Sequence, residues 1–204
     1  MVTIAVLDYG SGNLHSVSRA LARAGAEVVL TSSPDQTSSA DAALIPGVGR
    51  FGQCVRAIRA AGLDGAIDRL VDAGRPVFGV CVGMQVLFER SEEDPETPGL
   101  GIIEGSVRRL PQSVTVPHMG WNSVTWKADH PYREGLDDRS WFYFVHSFAP
   151  PAEGADAIGA TRHGAGFASV IARGNVFATQ FHPEKSGNAG LRIYENFVRA
   201  VDAT

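Results

Sequence analysis

The sequence predicts an α/β fold: a central sheet, mixed but mostly parallel, between two helical layers, with an antiparallel, strand-rich second half. Two observations carry this. In the first half, short apolar runs alternate with segments of helical periodicity, the β-α-β-α order of a parallel sheet covered on both faces. Beyond the acidic loop Ser91-Glu92-Glu93-Asp94-Pro95, strand patterns dominate and are joined by tight glycine turns such as Arg173-Gly174-Asn175, a hairpin signal.

The elements follow in order. Val2–Leu7 reads as a buried strand, and Leu14–Ala24 as a helix with Val17, Leu21 and Ala24 on one face and Gly25 as its stop. Strands follow at Glu27–Leu30 and Ala42–Ile45, then helices at Phe51–Ala61 and Leu63–Asp72. Gly74-Arg75-Pro76 turns the chain into the strand Val77–Val80, with a helix expected at Val82–Arg90. Strands are then expected around 101–103, 107–110, 140–145, 157–161, 167–172 and 176–181. A last helix at Ala189–Val201 carries Leu191, Tyr194, Phe197 and Val198 at helical spacing. No repeat or low-complexity linker interrupts residues 1–204, which are read as a single domain.

Composition narrows the function. The 204 residues are 44% hydrophobic, with 18 Lys and Arg against 22 Asp and Glu, a net charge of −4. A protein that grips phosphate backbones carries the opposite sign, so no nucleic-acid partner is expected. Two cysteines, Cys54 and Cys81, cannot form a disulfide framework, and neither a C-x-x-C pair nor a histidine pair at ligand spacing suggests a metal. The N-terminal apolar run lacks a basic flank and a cleavage site, and no stretch approaches the ~20 apolar residues of a membrane span. The expectation is a cytoplasmic protein without cofactor, metal or membrane.

The sharpest local feature is Val77-Phe78-Gly79-Val80-Cys81-Val82-Gly83-Met84-Gln85, a strand running through G-x-C-x-G into a helix. This is the sulfur version of the G-x-S-x-G elbow, whose glycines permit a tight turn with the nucleophile at its tip. At a helix N-terminus the dipole favours a thiolate at Cys81, and the Val82 N–H would point at a developing oxyanion. The bland alternative is an inert core cysteine, which is the better reading for Cys54.

A nucleophilic thiol needs a base. Of six histidines, only His182 follows a strand and has a carboxylate locked beside it, in Phe181-His182-Pro183-Glu184. Pro183 keeps His182 extended, and in an extended segment residues i and i+2 share a side, so Glu184 can reach the imidazole. A third element, Ile45-Pro46-Gly47-Val48-Gly49-Arg50, ends a strand in a glycine-rich turn whose amides could complete an oxyanion hole. Gly10-Ser11-Gly12-Asn13-Leu14-His15 invites a dinucleotide-binding reading, but His15 stands where the third glycine belongs. Pro117-His118-Met119-Gly120-Trp121-Asn122 reads either as a core loop or as a partner-binding surface.

The order P-G-V-G, G-x-C-x-G-M-Q, H-P-E resembles the class I (triad) glutamine amidotransferases over nearly the whole chain. Asp8–Asn13, Pro117–Asn122 and His182-Pro183-Glu184-Lys185-Ser186 are most similar to the branch formed by the glutaminase subunits of imidazole glycerol phosphate synthases. The resemblance implies a flavodoxin-like, three-layer domain. It implies that Cys81 attacks the glutamine amide, that His182 relays the proton to ammonia and that Glu184 orients His182. Val48, Gly49 and Val82 would supply the oxyanion-hole amides. Gly49, Gln85 and Glu93 would line the glutamine site, with His146 and Ser147 nearby. Ammonia would pass to a (β/α)8 cyclase subunit, faced by Asn13, Met119, Trp121, Asn122 and Lys185. The family often has Tyr where this chain has Phe148. Two other readings share part of this pattern: a stand-alone cysteine hydrolase, which needs no partner surface, and a binding module in which the triad is incidental.

Overall fold

The structure, a computed structural model, describes residues 1–203. The parallel half is built from β1 (Thr3–Leu7), α1 (Leu14–Arg23), β2 (Glu27–Thr31), α2 (Pro34–Ser39), β3 (Ala42–Ile45), α3 (Phe51–Ala60), α4 (Leu63–Asp72), β4 (Val77–Val80) and α5 (Val82–Gln85). It is followed by β5 (Phe88–Ser91), β6 (Ile103–Arg109), β7 (His118–Trp126), β8 (Arg139–His146), β9 (Phe148–Ala149), β10 (Ala157–His163), β11 (Ala165–Arg173), β12 (Val176–Thr179) and α6 (Gly187–Asp202).

Nine strands form one mixed sheet in the order β2-β1-β3-β4-β12-β11-β10-β7-β8. The pairings from β2 to β12 are parallel, and those from β12 to β8 are antiparallel. A small second sheet, β5-β6-β9, lies outside it. The chain moves one way from β1 to β2 and the other way from β2 through β3 to β4. Right-handed crossovers therefore place α1 on one face and α2, α3 and α4 on the other. Helix α6 joins α1.

The core explains why the second half ends beside the first. Phe78 of β4 packs edge-on against Phe177 of β12, with ring centroids 5.0 Å apart, and against Phe197 of α6 at 5.2 Å. Tyr194 closes the same cluster at 5.8 Å. All four rings are buried, and this apolar contact draws β12 in parallel beside β4. As a result the carboxyl ends of β1, β3, β4 and β12 lie on one sheet edge, where open α/β sheets bind ligands.

Two local expectations need correction, and one helix went unforeseen. The helix expected at Val82–Arg90 stops at Gln85, and Phe88–Ser91 is a strand. The Val86 and Leu87 carbonyls accept from the amides of Leu100 (2.8 Å) and Ile103 (2.9 Å) instead of continuing a helical ladder. The segment Pro34–Ser39 is helical, started by Ser33, whose hydroxyl accepts from Gln36 N–H, and by Pro34 in the first turn. Residues 118–122 are strand, not loop: β7 alternates buried His118 and Val124 with exposed Met119 and Trp121.

Candidate active site

The elbow is a point of backbone strain. Cys81 has φ 56° and ψ −111°, the only non-glycine residue with positive φ among those described. Its neighbours allow this by close approach. A Cβ on Gly83 would lie 1.9 Å from the Ile45 carbonyl oxygen, and one on Gly47 would lie 2.3 Å from the Gly83 nitrogen. The turn after β3 and the start of α5 thus touch backbone to backbone. Gly83→Ala is expected to force these segments apart, destabilising the protein by about 1–3 kcal/mol in urea unfolding. An unchanged midpoint would contradict this packing.

The Cys81 thiol donates to the Val145 carbonyl at 3.8 Å and accepts from Gln180 Nε2 at 3.7 Å. The chain from β12 brings His182 to it. His182 Nδ1 lies 2.9 Å from Glu184 Oε1, with side-chain exposures of 2% and 1%. Burial alone pulls the His182 pKa down. The negative charge of Cys81 and a hydrogen bond to it, then Glu184, outweigh burial and raise it to about 10. The Glu184 carboxylate on one side, and a thiolate at Cys81 once its proton has moved, both favour the cationic imidazole. The turn is pinned by strand β8: His182 N–H donates to the Tyr143 carbonyl (2.9 Å), and Tyr143 N–H donates to Ser186 Oγ (2.9 Å). Behind the pair, burial followed by the Glu184 charge raises the Tyr194 hydroxyl pKa well above its ordinary value.

A cavity of about 260 Å³ opens over Cys81. Its size suits a small metabolite, being below the ~300–1,000 Å³ of pockets for drug-sized ligands. Besides Cys81 and His182 it is lined by Val48, Gly49, Val82, Gln85, Glu93, His146, Ser147, Phe148 and Lys185. Glu184 stands behind His182. Glu93 Oε2 accepts from Phe51 N–H at 2.7 Å, which holds its carboxylate at the rim. Val82 occupies the first position of α5, where no intrahelical acceptor exists for its N–H.

The turn after β3 differs from expectation in one amide. Val48 N–H donates to Ser11 Oγ at 3.4 Å, and Ser11 Oγ donates in turn to the Val48 carbonyl. Cys54 Sγ also donates to that carbonyl, at 3.5 Å. The Val48 amide is therefore turned away from Cys81 in this conformation. Gly49 N–H, anti to the Val48 carbonyl in a trans peptide, points the other way. Tyr9 braces the same turn by donating to the Pro46 carbonyl. Cys54 is buried against Ser11, with its pKa raised by burial, and belongs to this packing.

The remaining singled-out residues lie on β7, at the start of α1 and beside His182. Met119 and Trp121 are 63% and 54% exposed on the outer face of the β7–β8 ribbon, joined by Trp141 at 57%. Trp121 stands opposite Tyr143 in register, with ring centroids 6.2 Å apart. Asn122 points inward and bonds to His118 and the Arg162 carbonyl. Asn13 precedes α1 without capping it through its side chain. Sequence reasoning missed Ser11, His118, Gln180 and Ser186. Gln180 stands two residues before His182, on the extended approach that should place both on one side. Among the described residues, no helix is long and apolar enough to cross a membrane.

Comparison with known proteins identifies the family. The family model for "Glutamine amidotransferase class-I" matches residues 5–201. An "Imidazole glycerol phosphate synthase subunit HisH" of Dehalococcoides mccartyi is 48% identical over 198 residues, covering 96% of each chain. A HisH of Methanococcus maripaludis is 44% identical, over 97% of this chain and all of its own. A solved structure described as a glutamine amidotransferase superposes with a TM-score of 0.77 at 22% identity, covering 98% of both chains. The chain belongs to the class-I glutamine amidotransferases, and within them to the family of imidazole glycerol phosphate synthase subunit HisH.

Proposed function

We propose that residues 1–204 act as one glutaminase domain, the glutamine-hydrolysing subunit of an imidazole glycerol phosphate synthase, with Cys81 as nucleophile. The observation that carries this reading is Cys81 at the strained tip of the elbow, beside a His182–Glu184 pair, at the floor of a metabolite-sized cavity. With Nδ1 engaged by Glu184, His182 keeps Nε2 for the thiol proton. Cys81 Sγ attacks the side-chain carbonyl carbon of glutamine. The tetrahedral oxyanion is met by the amides of Val82 and Gly49, and by Val48 once its peptide turns. His182 gives its proton to the departing ammonia, leaving a γ-glutamyl thioester. Water, deprotonated by His182, then releases glutamate.

Gln85 and Glu93 offer acceptors for the substrate's ammonium group, with His146 and Ser147 completing the wall. Ammonia passes to a (β/α)8 cyclase subunit, which forms imidazole glycerol phosphate and aminoimidazole carboxamide ribonucleotide. The exposed Met119 and Trp121, with Asn13 and Lys185, form the docking surface; Asn122, expected to face the cyclase, is instead committed inward to His118 and the Arg162 carbonyl. Aromatic and methionine side chains of this kind are enriched at interfaces. Such a protein works in the cytoplasm.

The test is glutamine turnover with and without the cyclase and its nucleotide substrate. A rise of about 10²–10³ is expected when both are present, the worth of one oxyanion donor. Equal turnover with and without them would overturn the coupled reading in favour of a stand-alone hydrolase.

A further inference from the structure

We infer that His118 and His146 are positioning residues: a proton-ordered pair that holds the Phe148 carbonyl and, through it, the Gln85 carboxamide at the cavity wall. This rests on reading that cavity as the glutamine site. The order of the protons follows from chemistry. A carbonyl only accepts, so at 2.9 Å from Phe148 O the Nδ1 of His146 carries the hydrogen. Burial, foremost, lowers the His146 pKa to about 3, so the ring is neutral and its Nε2 is a bare acceptor. His118 Nδ1, 3.0 Å from that atom, must then donate. His118 is neutral as well, its pKa lowered to about 4 by burial and next by His163. Its Nε2 therefore accepts, from Asn122 Nδ2 at 3.1 Å. Asn122 is held with its amide nitrogen inward because its own oxygen accepts from Ser123 N–H at 2.8 Å. Each bond thus dictates the next.

The other side of the Phe148 carbonyl explains what the chain does. Gln85 Nε2 donates to it at 2.9 Å and to Gln180 Oε1 at 3.0 Å. Both amide hydrogens are committed, so Gln85 can offer the cavity only its oxygen, an acceptor for a substrate N–H. Gln180 uses its own Nε2 toward Cys81 Sγ. The arrangement uses the backbone of residue 148 and not its side chain, so it needs no hydroxyl at Phe148. His118 acts as the lock. Without its Nδ1–H, His146 is free to move its proton to Nε2, turning a bare lone pair on the Phe148 carbonyl and loosening the anchor of Gln85.

Long-range ¹⁵N–¹H spectra of the full chain at neutral pH, assigned with His118→Asn and His146→Asn, should show both rings as Nδ1–H tautomers. An Nε2–H tautomer at either ring would overturn the proposal, whatever the cavity binds. In the complex, His118→Leu should raise the KM for glutamine about tenfold with kcat little changed, the worth of one buried hydrogen bond. His118→Asn, which keeps a donor near the same place, should restore KM to within about twofold. Equal KM for folded His118→Leu and the wild type would also overturn it. Glutamine titrated into Cys81→Ala separates the two levels. Binding that weakens on adding His118→Leu supports the positioning role. Absence of any binding overturns the glutamine reading and this proposal with it.

Discussion

Cys81→Ala is expected to lower glutamine-dependent synthesis in the complex by on the order of 10⁶, the cost of removing the nucleophile from a triad that acts as a unit. The same variant should synthesise product from ammonium at the wild-type rate, because the acceptor chemistry lies on the other subunit. The fold is expected to survive. Cys81 is small, and its bonds to Gln180 Nε2 and the Val145 carbonyl are long, at 3.7 and 3.8 Å. Alanine also retains the positive φ at no greater cost than cysteine. Loss of both the glutamine and the ammonium reactions would mean that the elbow shapes the docking surface instead of supplying a nucleophile. Survival of glutamine use would exclude Cys81 from the reaction.

The second large effect concerns the turn after β3. Ser11 Oγ bonds both ends of Val48, and in that state the Val48 amide is lost to the oxyanion. Ser11→Ala removes both bonds. Partner-free glutamine turnover should rise about two- to tenfold, the worth of the released Val48 N–H bond at about 0.5–1.5 kcal/mol, because Cys54 Sγ still holds the Val48 carbonyl. The stimulation by the liganded partner should shrink by the same factor, since the fully turned state is unchanged. Lower partner-free turnover in Ser11→Ala would show that Ser11 supports the productive turn instead of opposing it. Tyr9, which donates to the Pro46 carbonyl, anchors the base of the same turn in both variants.

Much of the fold was legible because its signals are local. The four apolar runs from Val2 to Val80 are short, two of the three gaps between them hold helices with clean apolar faces, and all four are parallel strands in the sheet. The elbow was legible because Gly79 and Gly83 leave few other uses for a strand entering a helix. What was not legible depends on partners distant in sequence. Helix α5 ends early because Leu100 and Ile103 capture its next carbonyls. The strand at His118–Trp126 is interrupted in pattern by Gly120 and Asn122, and pairing with β8 along its length, and with β10 at its end, fixes its register. The bonds of Ser11 to Val48 and of His118 to His146 span 37 and 28 residues, so neither motif announces the other. The orientation of the Val48 peptide is likewise a property of the Ser11 contact and not of the P-G-V-G letters.

The central claim, that Cys81 carries the acyl group, is tested most directly by rapid acid quench of the complex turning over glutamine, followed by mass spectrometry of its peptides. The account predicts a γ-glutamyl adduct on the peptide containing Cys81, released as γ-glutamyl hydroxamate by hydroxylamine and absent from His182→Ala. Glutamine turnover with no adduct at Cys81, or with an adduct at Cys54, would contradict it.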